Sequence, residues 1–255
     1  MKNYQMIHVE EKDGVYWLTL DRPPLNILNL AMIEEIVAAL KSLDKSRGGI
    51  LVFQAKGKAF SAGADVADHL PGKVASMLEA FHEIFYEILS FDGPVISLVG
   101  GPALGGGCEL ALAADIALAS SRAQFGQPEI KLGVFAPVSL VLYPLLCTAR
   151  ASLEIILSGQ TLEASQALQV GLISKVFEDS EFEAKTGEYI QGLRSLSLSS
   201  LKITKQAFRK IHPWKFKERL KEAEQMYLDN LMQTKDAREG CFAFVEKRKP
   251  VWSHS

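Results

Sequence analysis

Apolar positions recur along this chain at two spacings, and the points where the spacing changes mark out its elements. Across residues 7–20 they alternate: Ile7 and Val9 first, then Tyr16, Leu18 and Leu20 on one parity with Val15, Trp17 and Thr19 on the other. With Asp13-Gly14 between the runs, this predicts a β-hairpin. Arg22-Pro23-Pro24-Leu25-Asn26 reads as a loop, and residues 30–45 carry the spacing of an amphipathic helix. Residues 49–54 predict a short buried strand. Helical spacing returns over residues 74–90, with Val74, Met77, Leu78, Phe81, Ile84, Phe85 and Ile88 on the apolar face. A strand at 94–99, a helix at 106–114 and a strand at 116–119 follow. This rhythm predicts an α/β layer with parallel strands. A helix over 162–170 stops at Gly171, and residues 172–177 form the last expected strand. Beyond about residue 180 the pattern is charged and amphipathic, with a helix over 217–232 and Asp236 and Glu239 reading as a capped helix start. The chain divides into an α/β core, residues 1–180, and a helical region, residues 181–255.

Composition narrows the class. At 255 residues, with 48% hydrophobic and 23% charged residues and a net charge of −2, the chain has the profile of a globular protein. No basic excess calls for nucleic acid as a partner, and no apolar run reaches membrane-spanning length. Cys108, Cys147 and Cys241 are odd in number and widely spaced, and His8, His69, His82, His212 and His254 form no ligand cluster. Neither a disulfide framework nor a metal site is expected. The start of the chain lacks an apolar signal core, so a cytoplasmic location is the expectation.

Candidate chemistry sits in three segments. Gly100-Gly101-Pro102-Ala103-Leu104-Gly105-Gly106-Gly107 follows a predicted strand and opens a helix, whose first-turn N–H groups are free to hold a developing oxyanion. Ala59-Phe60-Ser61-Ala62-Gly63-Ala64-Asp65 follows the preceding strand in the same way. Two such loops at successive parallel strands can each give one N–H to the same oxygen. The glycine segment lacks the Gly-Lys-Ser/Thr ending of a phosphate-binding loop and the acidic partner of a dinucleotide fold. Glu109 stands one turn inside a very apolar helix, either capping its start or facing a cavity, where burial favours its protonated form. Glu129, after Pro128, is either a solvated turn residue or its partner across a water. Asp65 and Asp115 read as structural and Cys108 as a small buried residue, while His69 either touches the substrate pocket or, the favoured reading, is a solvent-facing loop histidine.

Together, Phe60 to Asp65, Ala103 to Leu110, Phe125 to Gly133 and Phe244-Val245-Glu246-Lys247-Arg248 resemble the enoyl-CoA hydratase/isomerase (crotonase) superfamily over nearly the whole chain. The resemblance implies a ββα superhelix whose C-terminal helices assemble a homotrimer or a hexamer. It implies an oxyanion hole at the N–H groups of Ala64 and Gly106, and Glu109 and Glu129 as the pair that handles water. An acyl-CoA substrate would run past Ala62, Asp65 and Val66, with Arg22, Pro24 and Leu25 near its upper part, and no cofactor beyond the substrate's own CoA is implied. Hydratases of the family carry a glycine-rich loop after the second glutamate. Here that loop reads Leu132-Gly133-Val134-Phe135-Ala136-Pro137-Val138, and Phe135 is expected to reshape the acyl pocket. In this stretch, and in Asp68-His69-Leu70-Pro71, the chain is similar to the cyclohexa-1,5-diene-1-carbonyl-CoA hydratases of anaerobic benzoyl-CoA degradation. A general or cyclic mono-enoyl-CoA hydratase, an isomerase and a non-catalytic acyl-CoA-binding protein are the alternatives. The two retained glutamates favour hydration.

Overall fold

The hairpin forms as its alternation predicts. β1 (Ile7–Lys12) and β2 (Val15–Leu20) pair antiparallel across a turn in which Asp13 and Gly14 take φ of 54° and 76°, the signs that a two-residue hairpin turn requires. The computed structural model describes residues 4–44 and 49–255. α1 (Leu30–Ser42) starts at Asn29, whose side chain accepts from the Met32 N–H at 3.1 Å. Its last expected residue, Lys45, lies outside the described residues. β3 (Ile50–Ala55), α2 (Val74–Ser90), β4 (Val95–Val99), β5 (Ala103–Leu104), α3 (Gly106–Leu112), β6 (Ile116–Ser120) and β7 (Gln124–Gly126) follow. Then come α4 (Pro137–Leu146), α5 (Ala149–Ser158), β8 (Thr161–Glu163), α6 (Ala164–Val170) and β9 (Lys175–Phe177).

The main sheet has the order β1-β2-β3-β4-β6-β9 and is parallel from β2 onward. Alternation sorts its side chains into two layers. Tyr16, Leu18, Leu20, Leu51, Phe53, Val95 and Val99 enter the large core with α1 and α2, whereas Val15, Ile50, Val52, Ile96, Leu98 and Leu118 face the other way. That second face is covered by Ile190 of α7 (Phe182–Arg194). The buried face of α2 is the expected one, with His82 added.

Several boundaries differ from the periodicity, each for a tertiary or capping reason. α6 begins at Ala164 because residues 161–163 are recruited as β8 against β7. β9 begins at Lys175 because Gly171 (φ 91°) and Leu172 are used to end α6, with the Leu172 N–H returning to the Ala167 carbonyl at 2.9 Å. The helical region holds α8 (Leu198–Ile211), α9 (Phe216–Asp229) and α10 (Lys235–Val245). Asp236 is not the cap of α10. Thr234 is, accepting from the Ala237 N–H at 3.1 Å, while Asp236 receives the Ser253 and His254 N–H groups. α9 lays Leu220, Ala223 and Tyr227 inward against α4 and α2.

A second sheet, β5-β7-β8, positions the chemistry. β5 and β7 run parallel with Ala103 opposite Phe125 and Leu104 opposite Gly126. An isolated parallel bridge joins Ser61 to Ala103, and another joins Leu28 to Ala64. Segments ending at Ala64, Gly106 and Gln127 therefore arrive side by side, pointing the same way.

Candidate active site

The two expected backbone donors lie beside each other. Leu28 gives its N–H to the Gly63 carbonyl (2.9 Å) and takes the Asp65 N–H on its own carbonyl (3.1 Å). The Ala64 N–H between them therefore faces away from Leu28. Gly106 opens α3, so its N–H has no partner inside the helix. The two groups are neighbours: a Cβ placed on Gly106 would come within 3.3 Å of the Ala64 nitrogen and 2.9 Å of Phe81 Cζ. Glycine is required there by the close approach. Ser61 and Asn26 hold the first loop in place and were not singled out by sequence. The Ser61 hydroxyl donates to the Asn26 carbonyl at 2.7 Å, and the buried Asn26 amide donates to the Lys56 and Ala59 carbonyls at 2.9 and 3.0 Å.

Glu109 does not cap its helix. It is buried, with Oε1 accepting from the Ser139 N–H (2.7 Å) and approached by the Ser139 hydroxyl (3.1 Å) at the start of α4. Glu129 stands in the 3₁₀ turn Pro128–Leu132 that follows β7. Its carboxylate occupies the space a Cβ on Gly105 would need. Gln127 and Ser139 link the pair. The Gln127 amide satisfies its surroundings with Nε2 donating to Glu129 Oε2 at 3.0 Å and Oε1 accepting from the Ser139 hydroxyl and from Tyr143 OH, the latter at 3.2 Å. The serine hydroxyl thus stands between Gln127 and Glu109, with one proton to give to either. Gln127 carried a weak signal, two residues before a candidate carboxylate. Ser139 carried only its polarity in an apolar helix.

Burial pushes the Glu109 carboxyl up to about 7 against the lowering effect of its Ser139 bonds. Burial, and then the charge of Glu109, push Glu129 up to about 8. The two titrate as a coupled pair, poised near neutrality with one proton between them. That is the state a general acid and a general base need to act together.

Ala64, Gly106, Glu109 and Glu129 border one cavity of about 20 Å³, space enough for one water. Phe81, Phe135 and Tyr227 are among the side chains that close it. Phe135 packs edge-on to Tyr227 at 5.2 Å between ring centres. Leu78 and Phe81 line the cavity as well, while Phe85 is plain core. His69 corrects its expected solvent position: it borders the cavity, its Nδ1 3.1 Å from the Asp65 carbonyl, and burial lowers its pKa.

The other expected contact residues lie near one another in two adjoining loops. The Ala62 N–H donates to the Leu25 carbonyl at 2.9 Å, so the loop carrying Arg22, Pro24 and Leu25 runs beside Ala62. Arg22 Nη1 is held by the Ile27 carbonyl at 2.8 Å, and Asp65 caps the turn Val66–His69 through the Ala67 N–H. None of these six residues borders the closed cavity. Asp115 is structural, taking the Val95 N–H at 2.8 Å and pairing with Lys205 and Arg209. Cys108 is an inert thiol that burial pushes up to about 12.

Comparison with known proteins gives the family and the fold. The family model for enoyl-CoA hydratase/isomerase matches residues 10–255. A cyclohexa-1,5-dienecarbonyl-CoA hydratase from Thauera aromatica is 36% identical over 246 residues, covering 96% of this chain and 95% of that protein. A probable enoyl-CoA hydratase from Mycobacterium tuberculosis is 33% identical over 256 residues, with coverage of 98% and 99%. Among solved structures, an enoyl-CoA hydratase from Mycobacterium avium subsp. paratuberculosis superposes with a TM-score of 0.85 at 27% identity, covering 98% of this chain and 100% of that one. The ββα architecture, the paired N–H groups and the sequence relationships lead to one conclusion: the chain belongs to the enoyl-CoA hydratase/isomerase family.

Proposed function

We propose that this enzyme, a carbon–oxygen lyase of the enoyl-CoA hydratase type, adds water to the cyclic thioester cyclohexa-1,5-diene-1-carbonyl-CoA, giving 6-hydroxycyclohex-1-ene-1-carbonyl-CoA. The observation that carries the choice of substrate is the aromatic lining, Phe81, Phe135 and Tyr227, of the cavity that the glutamate pair also borders, which suits a flat ring. The similarity to the Thauera aromatica hydratase supports the same choice.

In this reading a water lies between Glu109 and Glu129. The ionised member of the pair takes a proton as the water oxygen bonds to the β-carbon. Electron density moves into the thioester oxygen, held by the N–H groups of Ala64 and Gly106. The protonated member then delivers its proton to the far carbon of the diene, the enolate collapses, and the pair again holds one proton. The sum is one water added, with no oxidant or reductant consumed and no cofactor called for beyond the CoA of the substrate. Ala62, Asp65 and Val66, with Arg22, Pro24 and Leu25, make the rim past which the CoA portion runs.

The same reading includes a homotrimer, or a hexamer of two trimers, built on the C-terminal helices. α8 has no buried residue: one side holds the sheet end through Lys205 and Arg209 on Asp115, and Ile203, Phe208 and Ile211 are exposed. Light scattering on the purified protein tests the assembly, and a monomer would overturn it.

The substrate is tested by side-by-side turnover of cyclohexa-1,5-diene-1-carbonyl-CoA, cyclohex-1-ene-1-carbonyl-CoA and crotonyl-CoA, with products identified by mass. The expected result is a kcat/KM for the diene at least about 100-fold above the others, a discrimination of about 2.7 kcal/mol. Equal or better turnover of crotonyl-CoA would establish a general enoyl-CoA hydratase instead.

A further inference from the structure

Four described buried polar atoms lack a hydrogen-bond partner, and of these only the Tyr227 hydroxyl belongs to a residue that borders the cavity. The neighbouring polar groups are paired: Glu109 to Ser139, Gln127 to Glu129 and Ser139, Tyr143 to Cys108 and Gln127. Tyr227 is wholly buried, and α9 packs firmly on α4. Its ring is set against Phe135 at an interplanar angle of 83°. Burial, then Cys241, then the charges of Glu129 and Glu109 push the phenol pKa far up, so the hydroxyl keeps its proton and remains a donor.

A buried donor left unpaired is a net cost, and proteins retain few of them without a reason. The missing partner is supplied by what enters the cavity. Hydration brings two oxygens there. The thioester oxygen belongs to the Ala64 and Gly106 N–H groups, and the oxygen of the added water is the one left to receive a further donor. An apolar acyl chain offers no acceptor of its own.

We infer that the Tyr227 hydroxyl donates a hydrogen bond to the oxygen that hydration places on the acyl group, making this C-terminal tyrosine a binding determinant for hydroxylated over unhydroxylated thioesters. It forms and breaks no covalent bond. It orients the incoming water and holds the product hydroxyl, while the two glutamates move the protons. The inference rests on reading this cavity as the acyl site. It does not depend on which acyl group is the natural one.

The test compares binding by titration calorimetry of two matched pairs: 6-hydroxycyclohex-1-ene-1-carbonyl-CoA against cyclohex-1-ene-1-carbonyl-CoA, and 3-hydroxybutyryl-CoA against butyryl-CoA. A Glu129→Gln background suppresses turnover, with and without Tyr227→Phe, which keeps the ring and its contact with Phe135. The expected result, in whichever pair binds, is an approximately tenfold weaker Kd for the hydroxylated member, about 1.4 kcal/mol, with the unhydroxylated member changed less than about twofold. Equal weakening of both members, or no change in either, would overturn the inference, because lost packing acts on both alike. If no thioester binds even with Tyr227 intact, the reading of the cavity itself falls, and the inference with it. In an otherwise native enzyme, Tyr227→Phe is expected to lower kcat about tenfold and leave KM for the enoyl thioester nearly unchanged.

Discussion

Two parts of the cavity wall are built differently: Ala64 and Gly106 present backbone N–H groups set by segments in parallel register, and Glu109 and Glu129 present carboxylates set by the side chains of Gln127 and Ser139 and the Ser139 N–H. The first wall depends on the path of the main chain and on side chains being absent where the chain passes close. The second depends on the identity of a few side chains and on their burial. An oxyanion can be met by any correctly placed N–H, so that wall is encoded in loop register. Proton transfer needs groups of a particular pKa, so the other wall is encoded in specific residues and in what surrounds them.

Breaking the carboxylate wall should have the largest effect. Glu109→Gln or Glu129→Gln is expected to lower kcat about 10³-fold, in the range of lost general acid–base catalysis, with KM within about threefold. Steady-state hydration assays check both numbers. A Gln variant within tenfold of the native rate would remove that carboxylate from the chemistry.

Breaking the backbone wall comes next. Gly106→Ala puts a methyl group 2.9 Å from Phe81 Cζ and 3.3 Å from the Ala64 nitrogen. Displacing one donor is expected to cost about 10²-fold in kcat.

These two walls were unequally legible in the sequence. Glu109 stood out as a charge in an apolar helix, and the two glycine-bearing loops stood out by following strands. The parity of β2 and the face of α2 were likewise open to periodicity alone. Ser139 and Tyr227 were not legible, because nothing local marks them: one is a serine in the apolar run of α4, the other an inward position of an amphipathic helix. Their roles come from contacts made across the fold, such as the Ser139 bond to Glu109 across 30 residues. His69 and Asp236 went astray for a related reason. Each has a polar local context, and its place was decided by a neighbour distant in sequence, the cavity wall for one and the Ser253-His254 N–H groups for the other.

Smaller effects sharpen the comparison. Native kcat/KM is expected to follow a bell between apparent pKa values near 7 and 8, belonging to the pair. Gln127→Leu removes a donor that favours the ionised form of Glu129, so its upper limb should move to higher pH, with a rate loss of about tenfold at pH 7. Ser139→Ala keeps the backbone donor to Glu109 and should lose only about threefold in rate. A pH–rate profile of each variant reads both effects.

The smallest effect is on stability, and its sign is opposite to that on rate. Both glutamates have folded-state pKa values above the unfolded 4.5, so the folded protein holds extra protons from about pH 4.5 to 8. Stability from this source is present below pH 4.5 and is lost as pH rises through 7 and 8. Glu129→Gln, which cannot ionise, should therefore raise Tm by roughly 3–6 °C at pH 8 and leave it unchanged near pH 4.5. Thermal unfolding at the two pH values measures the difference.

The central claim is that Glu109 and Glu129 act on one water as a unit. A double-mutant cycle in kcat/KM tests it most directly, comparing Glu109→Gln, Glu129→Gln and the double variant on the best hydration substrate. Groups that act together lose nearly everything when either is removed, so the double variant should be no more than about tenfold slower than the worse single one. If the losses instead multiply, to about 10⁶-fold, the carboxylates work independently and the shared-water account is wrong.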